Sequence, residues 1–192
     1  MKVLMVNGSP NKDGVIFTAL SAIAEQLKKE GVDSEIYQIG KDDDSLTIAQ
    51  AANEITEKMK ESDGLIIGSP DYFASPTGKL LAVLDRAYLN TTPFAYKPAA
   101  SIASGRRTGL SATLDVLNQY FLMSNQPVIP GNYYNGIHGG TAGEAVQDTE
   151  GMQTMRALAR NMAWMLNALD AAKKAGVVIP EQEKKIKYSV VH

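Results

Sequence analysis

The stretch VNGSPNKDGVIFTAL, Val6 to Leu20, changes character twice. It closes an apolar run, Lys2–Asn7 (KVLMVN), crosses a polar loop, and opens a segment with Leu20, Ile23, Ala24 and Leu27 at helical spacing. A continuous apolar run is what a strand buried on both faces of a sheet requires. The segment Val15–Glu30 carries one apolar helical stripe and stops at Gly31. The crossing therefore reads as the first half of a β-α-β unit. Its loop is longer than a plain turn needs and is rich in hydrogen-bond donors.

The same alternation continues down the chain. Val32–Ile39 reads as a second strand, Lys41–Ser45 (KDDDS) as a charged loop, and Leu46–Ser62 as a helix with Ile48, Ala52, Ile55 and Met59 on one stripe. Gly64–Gly68 (GLIIG) is a third buried strand, Pro76–Asn90 a helix, Ala99–Ser104 a fourth strand and Gly109–Met123 another helix. Pro127–Ile129 is the expected fifth strand, Gly131–Gly143 a Gly- and Tyr-rich loop, and Asp148–Lys174 a long helix. Buried strands alternating with amphipathic helices predict an α/β, doubly wound parallel sheet with helices on both faces. The expected domain is 1–176, with a tail over 177–192.

Composition narrows the function. The chain has 192 residues and a formal net charge of -2, which suits one domain and gives no electrostatic reason to expect nucleic acid or an anionic membrane as partner. With no cysteine, thiolate catalysis, disulfides and cysteine-ligated zinc or iron–sulfur clusters are excluded. Two histidines are too few for a His-rich metal site, and no metal site is expected; Asp42–Asp44 read as solvated charges. No run approaches the roughly 18 apolar residues of a membrane span. A cytoplasmic protein is the expectation.

In a doubly wound sheet, ligands sit beyond the carboxyl ends of the strands. The loops at that edge are Gly8–Phe17, Ser69–Ser75, Gly105–Thr108 and Gly131–Gly143. In the first, the Ser9 and Thr18 hydroxyls, the free N–H groups of the first helical turn near Val15–Thr18 and the charge of Lys12 suit a phosphate; alone, Ser9-Pro10 reads equally as a turn. There is no G-x-G-x-x-G, and SPTGKL lacks the upstream Gly of a P-loop, where Phe73 stands instead. Tyr72 and Phe73 suit a flat, partly apolar ligand, or cap the core. Arg106 and Arg107, beside Gly105 at a strand end, suit an anion or a polarised carbonyl. His138 reads as a spectator, and Trp164 with the Met stripe of the last helix as core or a subunit contact. A ligand with phosphate at one end and a planar ring at the other, carrying its own chemistry, is best matched by FMN.

The blocks NGSPNKDGVIFTAL, GSPDYFASPTGKLLAVLDRA and SGRRTGLSATLDVLNQYF together resemble the flavodoxin-like NAD(P)H-dependent FMN reductases, near their iron–sulfur flavoprotein branch. The resemblance runs from Lys2 to about Leu169. It implies a five-stranded flavodoxin-like sheet and an FMN phosphate held by the first loop, through Ser9, Asn11, Ile16 and Phe17-Thr18. It implies an isoalloxazine ring along Pro70, Asp71, Tyr72 and Phe73 and against Ser104, Arg106, Arg107 and Gly109. It further implies NAD(P)H as co-substrate, a quinone, free flavin or similar small acceptor, and a homodimer or homotetramer. The cysteine motif of the iron–sulfur branch is missing from IGKDDDSLTIAQAANE, so its cluster is not carried over. A guanidinium near the pyrimidine end, Arg107 by preference, would raise the flavin potential; alternatively both arginines bind the phosphate of the nicotinamide nucleotide. A non-enzymatic flavodoxin-like electron carrier is the competing reading, disfavoured mildly by the small net charge.

Overall fold

The computed structural model describes residues 1–39, 47–183 and 186. Strand β1 (Lys2–Asn7) leads into helix α1 (Val15–Lys29), followed by β2 (Asp33–Gln38), α2 (Ile48–Lys60), β3 (Gly64–Pro70) and α3 (Gly78–Ala87). Then come β4 (Ala99–Gly105), α4 (Leu110–Met123), β5 (Gly136–His138), the single turn α5 (Ala142–Ala145) and α6 (Thr149–Lys174). The five strands pair in parallel in the order β2-β1-β3-β4-β5. That is the flavodoxin-like order, with its reversal between β1 and β3. The expected KDDDS loop, Lys41–Ser45, lies outside the described residues.

Alternation along β1 builds two cores. Val3 and Met5 face one side, where α1 and α6 pack with Ile66 and Ile102; Leu4 and Val6 face the other, against α2, α3 and α4 with Leu65 and Ile67. Each fully buried Leu, Ile, Val or Met side chain contributes about 1.5–3 kcal/mol. In α6 the methionine stripe is core: Met155 and Met162 are fully buried, while Trp164 stands largely exposed.

The fifth strand is not where the sequence placed it. Pro127–Ile129 makes one bridge, Val128 opposite Ala99, with Ala99 N–H donating to Pro127 O at 2.9 Å and Ile129 N–H to Ala99 O at 2.8 Å. The chain then leaves the sheet at Pro130-Gly131. The Asn135 amide fills the gap in the ladder: its Nδ2 donates to Ser101 O at 3.1 Å and its Oδ1 accepts from Gly131 N–H at 2.8 Å. Pairing resumes at Gly136, opposite Ala103. A side chain can replace a backbone rung because it offers the same donor and acceptor, so the edge strand is split and its excursion carries Tyr133 and Tyr134 outward.

Other boundaries moved by one to three residues. β3 runs on through Ser69-Pro70 and β4 through Gly105, while Gly109 and Asp148 cap helices instead of belonging to them. α5 begins at Ala142, inside the segment expected to be loop, and runs two residues past its end. The caps divide the helices into two kinds. The side chains of Thr47, Thr77, Thr141 and Asp148 accept from the first turns of α2, α3, α5 and α6. α1 and α4, which begin beyond the carboxyl ends of β1 and β4, have glycine at the N-cap and no such bond.

Candidate functional site

At the end of β1 the chain is held by a small polar network. Gly8 N–H donates to Gly68 O at 2.8 Å, and the Thr77 hydroxyl donates to Gly8 O at 2.8 Å. Ser9 N–H donates to Asn7 Oδ1 at 3.0 Å, and Gln38 Nε2 donates to Ser9 O at 2.8 Å. Ser9 Oγ accepts from Asn11 N–H at 3.1 Å. Ser9 is thereby buried and fixed, while Asn11 stays exposed. The loop ends at the N-cap Gly14, and the first turn of α1 carries no acidic residue. An uncapped helix start with free N–H groups and a positive dipole end is a seat for an anion.

The loop after β3 turns back sharply. Tyr72 N–H donates to Ser75 O at 2.9 Å and Ser75 N–H returns to Tyr72 O at 3.2 Å. The two residues between, Phe73 and Ala74, sit at φ 57° and 56°. Left-handed φ at both central positions is the geometry of a primed two-residue turn, which Asn-Gly fits and a Phe-Ala pair does not. The Phe73 ring is fully exposed as a result.

Asp71, just before that turn, points to the next loop. Its N–H donates to Ser104 O at 2.7 Å and its Oδ1 accepts from the Thr113 hydroxyl at 2.9 Å. Gly109, at φ 115°, leaves room for the carboxylate: a Cβ there would lie 2.4 Å from Asp71 Oδ2. The acid beside the N-terminus of α4 answers its dipole from outside the helix. The start of α1 has no side-chain cap and no acidic residue in its first turn.

These loops enclose an open depression of about 370 Å³. Ser9, Asn11, Gly14, Val15 and Ile16 line one end, and Pro70, Asp71, Tyr72, Ser104, Gly105 and Arg106 the other, with Gly139 and Gly140 alongside. Of the residues singled out from the sequence, Ser9, Asn11, Ile16, Pro70, Asp71, Tyr72, Ser104 and Arg106 are brought together. Phe17, Thr18, Phe73, Arg107 and Gly109 are not among its walls. The Thr18 hydroxyl donates back to Gly14 O at 3.1 Å, a bond within the helix. Arg107, the preferred flavin partner in the sequence reading, lines a second cavity of about 320 Å³ with Tyr133, Tyr134 and His138; Arg106 takes the place beside the first. Gly139 and Gly140 went unremarked in the sequence, although the Gly-rich run NGIHGG marked their loop as one open to close approach.

The depression suits a phosphate at the α1 end and a ring at the Tyr72–Arg106 end. The donor set fits the phosphate and ring of FMN: backbone N–H groups and a hydroxyl where the dianion belongs, and aromatic, Pro and Arg groups where the ring belongs.

Comparison with known proteins agrees. Residues 1–140 match the model of the NADPH-dependent FMN reductases. The chain is 29% identical to an iron–sulfur flavoprotein of Methanocaldococcus jannaschii over 189 residues, covering 85% of this chain and 96% of that one. It is 29% identical over 116 residues to an NADPH azoreductase of Bacillus sp. (strain OY1-2), covering 58% of this chain and 64% of the other. The crystal structure of RosB with bound 8-demethyl-8-formylriboflavin-5'-phosphate superposes with a TM-score of 0.72 at 16% identity, over 100% of this chain and 92% of that one. No cysteine is present to hold an iron–sulfur cluster of the kind in the first relative's name.

Proposed function

Because this chain belongs to the NADPH-dependent FMN reductase family, we propose that it is an FMN-containing oxidoreductase that passes electrons from NAD(P)H to a quinone, free flavin or similar small acceptor. Bound FMN supplies the two-electron chemistry. The chain's own residues bind and orient it. The N–H groups at the start of α1 and the fixed Ser9 hydroxyl hold the 5'-phosphate. Pro70, Tyr72 and Ser104 flank the ring, and Arg106 places a cation where negative charge develops on reduction. The observation that carries this reading is the α1 N-terminus, which has neither a side-chain cap nor an acidic residue in its first turn, at one end of a depression whose other end is aromatic and cationic.

The flavin-binding unit in this reading is 1–176, and the protein is a cytoplasmic homodimer or homotetramer; exposed Trp164 supports a further covered surface. No helix among the described residues is long and apolar enough to cross a membrane.

The test is the purified protein. It should carry FMN, seen as blue-region absorption, and bleach within seconds of adding NADPH without air. Ser9→Ala removes a hydroxyl bond to a charged phosphate and should weaken FMN by about 1.5–3 kcal/mol. A protein that holds FMN and riboflavin equally well would show that the α1 seat is not a phosphate site. FMN that stays oxidised under NADPH would make the chain an electron carrier and not a reductase.

A further inference from the structure

We propose that the second cavity receives the adenine nucleotide end of the reduced pyridine nucleotide, an assignment that rests on the FMN reductase reading above. Consecutive residues partition between the two cavities. Arg106 lines the depression and Arg107 the second cavity; His138 lines the second, and Gly139 and Gly140 line the depression. The two sites are therefore one loop's thickness apart. A dinucleotide with one ring at the flavin reaches naturally into the other.

The second cavity is made for a flat ring. Tyr133 and Tyr134 meet edge to face, with centroids 5.1 Å apart, and both are largely exposed. Rings in that arrangement offer a face to a third aromatic. The floor is Leu110, packed so closely that a Cβ at Gly136 would lie 3.1 Å from its Cδ1. The tyrosines are displayed because the edge strand is split and Asn135 stitches the gap, so their position is fixed by the sheet. The volume, about 320 Å³, lies at the small end of the roughly 300–1,000 Å³ of ligand pockets and suits one nucleotide, not two.

The polar groups select among flat ligands. Arg107 supplies a cation for a phosphate; among the described residues it forms no ion pair. Glu150 supplies an acceptor for an exocyclic amine. Asp148, although it lines the cavity, is turned to the protein: its carboxylate accepts from His138 N–H at 2.7 Å and from Gly151 N–H at 2.9 Å. A ring bearing both an amine and a nearby phosphate uses both the cation and the acceptor. A quinone, which has carbonyl acceptors and no donor, can use the cation but leaves the acceptor unanswered.

The experiment is calorimetric titration of the FMN-loaded protein with 2',5'-ADP, with anthraquinone-2-sulfonate as a second probe. The expected result is one 2',5'-ADP per chain, displaced by NADPH. Arg107→Gln and the double variant Tyr133→Ala, Tyr134→Ala should each weaken it at least threefold, with FMN content unchanged. All three side chains are exposed, and a thermal melt checks that the variants fold. No binding of 2',5'-ADP to the wild type, or a change below threefold in either variant, overturns the assignment. Binding of the sulfonate without 2',5'-ADP overturns it too and makes the cavity an acceptor site. If the protein holds no FMN, the functional reading fails by itself; the same titration on the flavin-free chain still decides the cavity.

Discussion

Gly109 and Asp71 show how tightly single residues set the site. The carboxylate of Asp71 occupies the space a Cβ on residue 109 would need, and φ 115° there is one an L-residue adopts only with strain. Gly109→Ala should therefore cost about 1–3 kcal/mol. In a domain this size that is roughly a 2–12 °C fall in Tm, and an unchanged melt would mean the loop accommodates alanine freely. Asn11 is exposed at the phosphate end of the depression. Asn11→Asp keeps the shape and adds a negative charge beside the dianion, a repulsion of about 1–3 kcal/mol at about 5 Å. FMN affinity measured by fluorescence should drop at least fivefold and recover partly in high salt. Far from the site, at the other end of β1, the hydrogen bonds from Lys2 and then Lys58 hold the Glu35 carboxyl below the ordinary glutamate range. A depressed folded-state value stabilises the fold above the unfolded pKa, and that stability is lost as pH falls through the folded value. Glu35→Gln should thus cost up to about 1 kcal/mol at pH 7, since the pair is one-third exposed. Urea melts should show the gap closing in acid; a constant gap would mean the ion pairs contribute nothing.

At the scale of elements, the turn Tyr72–Ser75 is strained at two successive residues. Two left-handed non-glycine residues in a row cost about 1–3 kcal/mol each. Phe73→Asn with Ala74→Gly installs the pair this turn geometry favours. The double variant should gain about 1 kcal/mol, roughly 2–4 °C in Tm, because both side chains are exposed and little packing is lost. No rise in Tm would mean the turn is not strained as its φ angles indicate. The helices divide by the same logic: four carry a side-chain cap, α4 borrows Asp71, and α1 is left open at the point where a phosphate would close it.

For the molecule as a whole, the parallel sheet buries β1, β3 and β4 between two helical layers, and the loops that line the two cavities described above gather at the carboxyl ends of its strands. Exposed apolar groups remain elsewhere: Trp164 on α6, and Leu122 and Met123 at the end of α4. Light scattering at micromolar concentration should give at least a dimer; a monomer would leave these residues as ordinary exposed apolar surface.

The order of strands and helices was legible in the residues alone, because a strand buried on both faces must be a continuous apolar run and its helices must carry one apolar stripe. Ser9, Tyr72 and Arg106 could be singled out as candidates because they fall at the carboxyl ends of such strands, where ligands sit, although a turn or a core cap read equally well for the first two; Asn11 came only from the family resemblance. Three matters were decided only by the folded chain. The fifth strand begins at Gly136 because a side chain, Asn135, completes the ladder, and no periodicity records a rung made by a side chain. Thr18 bonds within its own helix, since a hydroxyl serves an i−4 carbonyl as well as it serves a phosphate. Arg106 and Arg107 part to opposite cavities because neighbouring residues in a loop point apart, a direction that depends on backbone angles set by packing and not by composition.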